Sequence, residues 1–183
     1  SILKAKGLKF DYKVVTNLPN SKVLEELDKC DIFIDELHSD AYGAMASTEA
    51  AMMAKPSIVC GYAKEEMDRL VPKEFRMPTN YVDPENLGKM IKKLITDTKL
   101  RRESGLKMKE FFENNANGHK SAQNFIKAVN GEFDHLQVSP DSIKYFLGYS
   151  ANKKTTLKRI KSVIKEKGIS GLCLDDKPTL LKS

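Results

Sequence analysis

The hydrophobic pattern is sharpest between Cys30 and Tyr62: CDIFIDELHSDAYGAMASTEAAMMAKPSIVCGY. Asp31–Asp35 is a short apolar run bounded by acids, as expected of a buried parallel strand. His38–Asp40 is a polar loop. Tyr42-Gly43 opens a helix that runs to about Ala54, Pro56 ends it, and Ser57–Cys60 reads as a second buried strand. Together they form a βαβ unit, and its first loop belongs at the carboxyl edge of the sheet, where open α/β sheets bind ligands. One carboxylate, Glu49, falls two turns into the helix among small residues. That arrangement suits a nucleotide whose phosphate rests on the helix N-terminus.

The flanking chain continues the alternation. Ile2–Ala5 reads as the last turn of a helix closed near Gly7, and Phe10–Thr16 alternates and is β-branched, which predicts a strand. Ser21 is placed to cap a helix over Lys22–Lys29, with Glu25 near a capping-box position. A short helix is expected at Lys64–Leu70, a short strand at Tyr81-Val82, and a helix starting at Asp83-Pro84-Glu85. That helix carries one apolar stripe of Leu87, Met90, Ile91, Leu94 and Ile95. Helices at Leu100–Asn114 and His119–Val129 follow, separated by the break Asn114–Gly118, and the second places Ala122, Phe125, Ile126 and Val129 on one face.

Such alternation predicts an α/β fold with a doubly wound parallel sheet. The sheet starts late, because the first element is the end of a helix. A preceding strand and most of a helix are therefore expected upstream, and the chain reads as a fragment of a longer protein. Residues 1–130 form the α/β unit and residues 131–183 a basic helical extension. Within the extension, Val138–Asp141 reads as a linker, Asp141–Tyr149 as a short helix, and Thr155–Lys167 as a basic amphipathic helix with Leu157, Ile160, Val163 and Ile164 on one side. The first reading of that last helix is a surface element docked on its own domain. The second is peripheral contact with the inner face of a membrane.

Charge is distributed unevenly. The chain has 31 Lys and Arg against 25 Asp and Glu, a net charge of +6. From Ala151 onward nine basic residues face Glu166, Asp175 and Asp176, which leaves residues 1–150 balanced at 22 against 22. A neutral folded part with a basic tail is not the pattern of a nucleic-acid-binding domain. Cys30, Cys60 and Cys173 are an odd, widely spaced set without metal-ligand spacing, which favours a reducing, cytoplasmic setting over a disulfide framework. No apolar run approaches the roughly 18 residues of a membrane span.

In these residues the chain resembles the nucleotide-sugar-binding C-terminal domain of family 4 type retaining glycosyltransferases of the GT-B fold. Those proteins carry a glutamate, seven residues, then a second glutamate heading Glu-Ala-Met-Ala-x-Gly-x-Pro. Here Glu49-Ala50-Ala51-Met52-Met53-Ala54-Lys55-Pro56 matches that second part, with Ala54 in place of glycine. Asp35-Glu36-Leu37 followed by Tyr42-Gly43 is similar to a subgroup with Asp-Gln-Leu, a short gap and Trp-Tyr-Gly. Tyr81–Leu87 and Asn115–Ser121, with His119, also fit, so the resemblance covers about Ile2 to Val129.

The resemblance implies that Glu49 accepts hydrogen bonds from the ribose hydroxyls of the donor. Gly43, Ala44 and Met45 would offer backbone N–H groups to the diphosphate or the donor sugar. Tyr42 joins the expected donor contacts, and His38 is a further candidate from its place at the carboxyl edge of the sheet. The first glutamate of the family's pair falls at Ala41; the subgroup with Trp-Tyr-Gly also lacks it, and Asp40 and Glu36 are the neighbouring carboxylates. The family's phosphate-binding Lys or Arg, and its acceptor-binding N-terminal domain, would lie before Ser1. No obligatory metal is implied, and the isolated chain is expected to bind nucleotide without useful turnover.

Two other readings come from different classes. One is a non-catalytic Rossmann-like interaction or regulatory module that uses its basic tail, for which Ala41 and Ala54 speak. The other is a nucleotide-sugar 2-epimerase of the same architecture. Met45, Met52 and Met53 are read as core side chains.

Overall fold

A computed structural model describes residues 2–5, 7–132 and 153–172. Among them, α1 (Ile2–Ala5) and α2 (Asn20–Lys29) precede β1 (Phe33–Ile34), α3 (Met45–Met52), β2 (Ser57–Cys60), α4 (Lys64–Leu70) and β3 (Asn80–Val82). Then follow α5 (Leu87–Thr96), α6 (Thr98–Phe111), α7 (Gly118–Val129) and α8 (Lys153–Lys167). The fold is mixed α/β. Its sheet has three parallel strands among the described residues, in the order β1-β2-β3, with Phe33 opposite Ser57 and Ile58 opposite Asn80.

The central strand explains the arrangement. All four residues of β2 are buried although successive side chains point to opposite faces, so both faces of the strand are covered. Ile58 and Cys60 form a core cluster with Leu94 of α5, all three fully buried, and Ile32, Ile34, Val82, Leu87, Met90, Ile91 and Leu100 pack around them. The apolar stripe of α5 thus meets the sheet as its periodicity predicts.

Helix α3 is held differently. Its inward residues are small, Ser47, Ala50 and Ala51, and all three are fully buried. Small residues let α3 approach its neighbours closely, and the methionines turn outward: Met45 is 80% exposed and Met52 49%. The expectation of core methionines is thereby corrected for these two, while Met53 is half-buried. Just past the end of the helix the chain turns at Ala54, whose φ of 55° lies in the left-handed region that favours glycine. The carbonyl of Ala54 packs against α6, where a β-carbon on Gly105 would stand 1.9 Å from the Ala54 oxygen. Replacing Ala54 by glycine is expected to raise stability by about 0.5–1 kcal/mol, read as a higher urea midpoint at unchanged slope.

Several boundaries differ from expectation. Phe10–Thr16 forms no strand: it has no regular secondary structure, Tyr12 is 67% and Val14 65% exposed, and no ladder partner lies beside it among the described residues. An alternating, β-branched segment fits a pleated surface only where a neighbouring strand supplies one. Ser21 is not the cap of α2. The helix begins two residues earlier, at Asn20, the Pro19 carbonyl accepts from Lys22 and Val23, and Glu25 pairs with Lys22. Helix α6 ends at Phe111 and passes through a wider π turn, Phe112–Ala116, before Asn117 caps α7. Phe125, Ile126 and Val129 of α7 do share a face, but that face is exposed. The expected linker at Val138–Asp141 and helix at Asp141–Tyr149 fall outside the described residues. The basic helix is present from Lys153 to Lys167, and the turn Ile169–Leu172 folds back against it.

Candidate functional site

Two loops meet at the carboxyl edge of the sheet. One runs from Asp35 to Ala44 between β1 and α3; the other, Gly61–Ala63, joins β2 to α4. Tyr81 of β3 ties them together. Its hydroxyl donates to the Ser39 carbonyl at 2.6 Å and accepts from the Ala63 N–H at 3.2 Å. Gly61 sits beneath this junction because no side chain fits there: an added β-carbon would lie 2.0 Å from both the Ser39 carbonyl oxygen and the Tyr81 hydroxyl.

The expected donor residues take up distinct positions. Glu49 is half-buried about one turn into α3, which starts at Met45 rather than at Tyr42. Its carboxylate accepts from the Asn20 side chain at 2.9 Å, so the first residue of α2 orients it. Tyr42 donates to Asp68 at 2.5 Å. Asp68 is held below the usual carboxylate range, first by the hydrogen bond from Lys64, then by that from Tyr42. His38 is exposed, with its ring centroid 6.4 Å from that of Tyr62. Gly43 is required by packing, since a β-carbon there would meet the Ser47 side chain at 2.7 Å.

The N-terminus of α3 carries its own anion. Asp35 Oδ2 accepts from the Ala44 N–H at 3.0 Å and from the Ser47 hydroxyl at 2.6 Å. A carboxylate at this place compensates the positive end of the helix. It also occupies one of the amides expected to hold phosphate, so the Ala44 N–H is not open to a ligand in this conformation. Asp35 lies nine residues before Ala44 and just past the end of β1, so no local periodicity marks it as a cap.

A second polar group gathers beyond β2 and β3. Tyr62 donates to Glu85 at 2.5 Å, and the Arg159 guanidinium of α8 lies 3.6 Å from the centre of the Tyr62 ring, within range of a cation–π contact. The Glu85 carboxylate pushes the Tyr62 phenol up, and the same bond draws Glu85 down, with a smaller contribution from Arg159. Beside this group, Lys64, Tyr81, Val82, Asp83, Asn86, Lys89, Met90 and Lys93 line a cavity of about 380 Å³.

No group of three or more His, Cys, Asp and Glu that could hold a metal ion occurs among the described residues. No helix among them is long and apolar enough to cross a membrane. No family model, curated protein sequence or solved structure matches the chain.

Proposed function

We propose that the chain is the nucleotide-sugar-binding half of a GT-B type retaining glycosyltransferase, a doubly wound Rossmann-like domain that moves a sugar to a glycan, lipid or small-molecule acceptor together with an N-terminal acceptor domain. One observation carries the reading. The parallel β1–α3–β2 unit sets Glu49 one turn below the start of α3, half-buried and oriented by Asn20. A carboxylate so placed can accept from both hydroxyls of a ribose. The exposed apolar face of α7 adds support, because contiguous apolar patches mark contact surfaces, and a partner domain would cover it.

The test is calorimetric titration with UDP, GDP and ADP, with Glu49→Ala in parallel. One of the three should bind, and the substitution should weaken it at least tenfold, equivalent to about 1.4 kcal/mol. Nucleotide binding that survives Glu49→Ala unchanged, or no binding to the millimolar limit, would remove the reading.

A second reading, a non-catalytic module, is favoured by Asp35. A carboxylate on the α3 N-terminus repels the phosphate that the fold would otherwise place there. Tight, salt-sensitive binding to anionic vesicles without nucleotide affinity would support it, with α8 as the basic contact.

A further inference from the structure

The α3 terminus and the cavity beside β3 differ in the charge they present. At α3, Asp35 engages the Ala44 amide and the Ser47 hydroxyl, so an arriving phosphate meets a carboxylate. In the cavity the balance is reversed. Lys64, Lys89 and Lys93 all line it, and Asp83 is the one carboxylate among the lining residues. Lys64 is paired with Asp68 at 2.7 Å, and Asp68 also faces Arg76 at 3.4 Å, so the surplus of positive charge is not cancelled there. Among the described residues Lys89 bonds only the neutral Asn86 side chain, at 3.2 Å. Lys93 has no carboxylate partner among the described residues. Tyr81, Val82 and Met90 add apolar surface to what is an open pocket of about 380 Å³. Several cations lining one pocket raise the local potential and attract multivalent anions.

We propose that this cavity is a diphosphate subsite, in which Lys89 and Lys93, with Lys64 at its rim, hold two linked phosphoryl groups in place of the α3 N-terminus. The identity of the attached nucleoside rests on the nucleotide-binding reading above; the anion site does not. The subsite lies at the carboxyl end of β3, next to the Tyr62–Glu85 pair, so a nucleoside diphosphate bound here would extend along the loop edge of the sheet.

The experiment is calorimetric titration of the full chain with inorganic pyrophosphate and, separately, with UDP, GDP and ADP, at low and high salt. The variants are Lys89→Gln combined with Lys93→Gln, and Asp35→Asn. Lys89 and Lys93 are exposed, so their replacement should leave the thermal melt in place. Expected are pyrophosphate binding that weakens with salt, a loss of at least tenfold in the lysine variant, and little change in Asp35→Asn. Three results would overturn the subsite: no pyrophosphate binding to the millimolar limit, equal affinity in the lysine variant, or a gain confined to Asp35→Asn, which would put the phosphates at α3. Lysine-dependent pyrophosphate binding without added affinity for any of the three nucleotides would keep the subsite and remove the nucleotide reading.

Discussion

Gly61→Ala is expected to lower stability by about 3 kcal/mol, at the upper end for overpacking, because the new methyl has nowhere to go. Its β-carbon would stand 2.0 Å from a backbone oxygen, that of Ser39, and equally close to the Tyr81 hydroxyl. The Gly61 N–H is meanwhile fixed to the Val82 carbonyl at 3.1 Å, so the backbone cannot simply shift away from the sheet. Relief requires Tyr81 to withdraw, which breaks its bonds to Ser39 and Ala63 and releases the loop from Asp35 to Ala44. Urea unfolding should show the lower midpoint, and amide exchange should show faster opening at Ser39, whose N–H is bonded to the Cys60 carbonyl. Combining the substitution with Tyr81→Phe removes one of the two clashing oxygens. The double variant should therefore lose less than the sum of the single ones. Strict additivity would show that the junction is not the cause.

Leu94→Ala should have the largest effect on the core, about 2–5 kcal/mol. Leu94 is fully buried and bridges α5 to Ile58 and Cys60 of the central strand. Its neighbours Ile32, Ile34 and Ile91 are themselves anchored, which limits collapse into the space left behind. The measurement is again the urea midpoint, with the slope unchanged. Ile126→Ala is the internal comparison: Ile126 is 59% exposed on α7, and its loss should shift stability by no more than about 0.5 kcal/mol. A similar loss at both positions would mean that the exposed face of α7 is covered in solution.

Where a single local rule decides the outcome, sequence and structure agree. The run Ser57–Cys60 and the helix Lys64–Leu70 are found with the bounds that their composition predicts. The stripe Leu87, Met90, Ile91 and Leu94 faces the core because a 3.6-residue period leaves it no other packed arrangement. Phe10–Thr16 shows the opposite case. Its alternation is a property of the segment, whereas a strand is a property of a pair, and the pairing partner cannot be read from the segment. The methionines of α3 fail for a related reason: hydrophobicity places a residue inside only if the facing surface leaves room, and Gly105 brings α6 too close to α3 for long side chains.

The candidate site was legible to a similar degree. The parallel unit follows from the pattern between Cys30 and Tyr62, whereas Glu49 sits one turn into its helix rather than two, because α3 starts at Met45 and not at Tyr42. The role of Asp35 does not follow from that pattern, since it depends on the loop from Asp35 to Ala44 returning to the end of β1. No motif marks Lys89 and Lys93 in the sequence, and only the placement of α4 and β3 beside α5 turns their side of the helix into a pocket wall.

The pairing of Tyr62 with Glu85 and of Tyr42 with Asp68 has a practical consequence. The chain has no tryptophan, so its near-ultraviolet spectrum belongs to six tyrosines. Two of them end on carboxylates at the loop edge of the sheet, and one of those two carries Arg159 against its ring. The protein is thus supplied with its own chromophores at the place where a ligand, or a displaced α8, would be felt first, and an optical titration there needs no label.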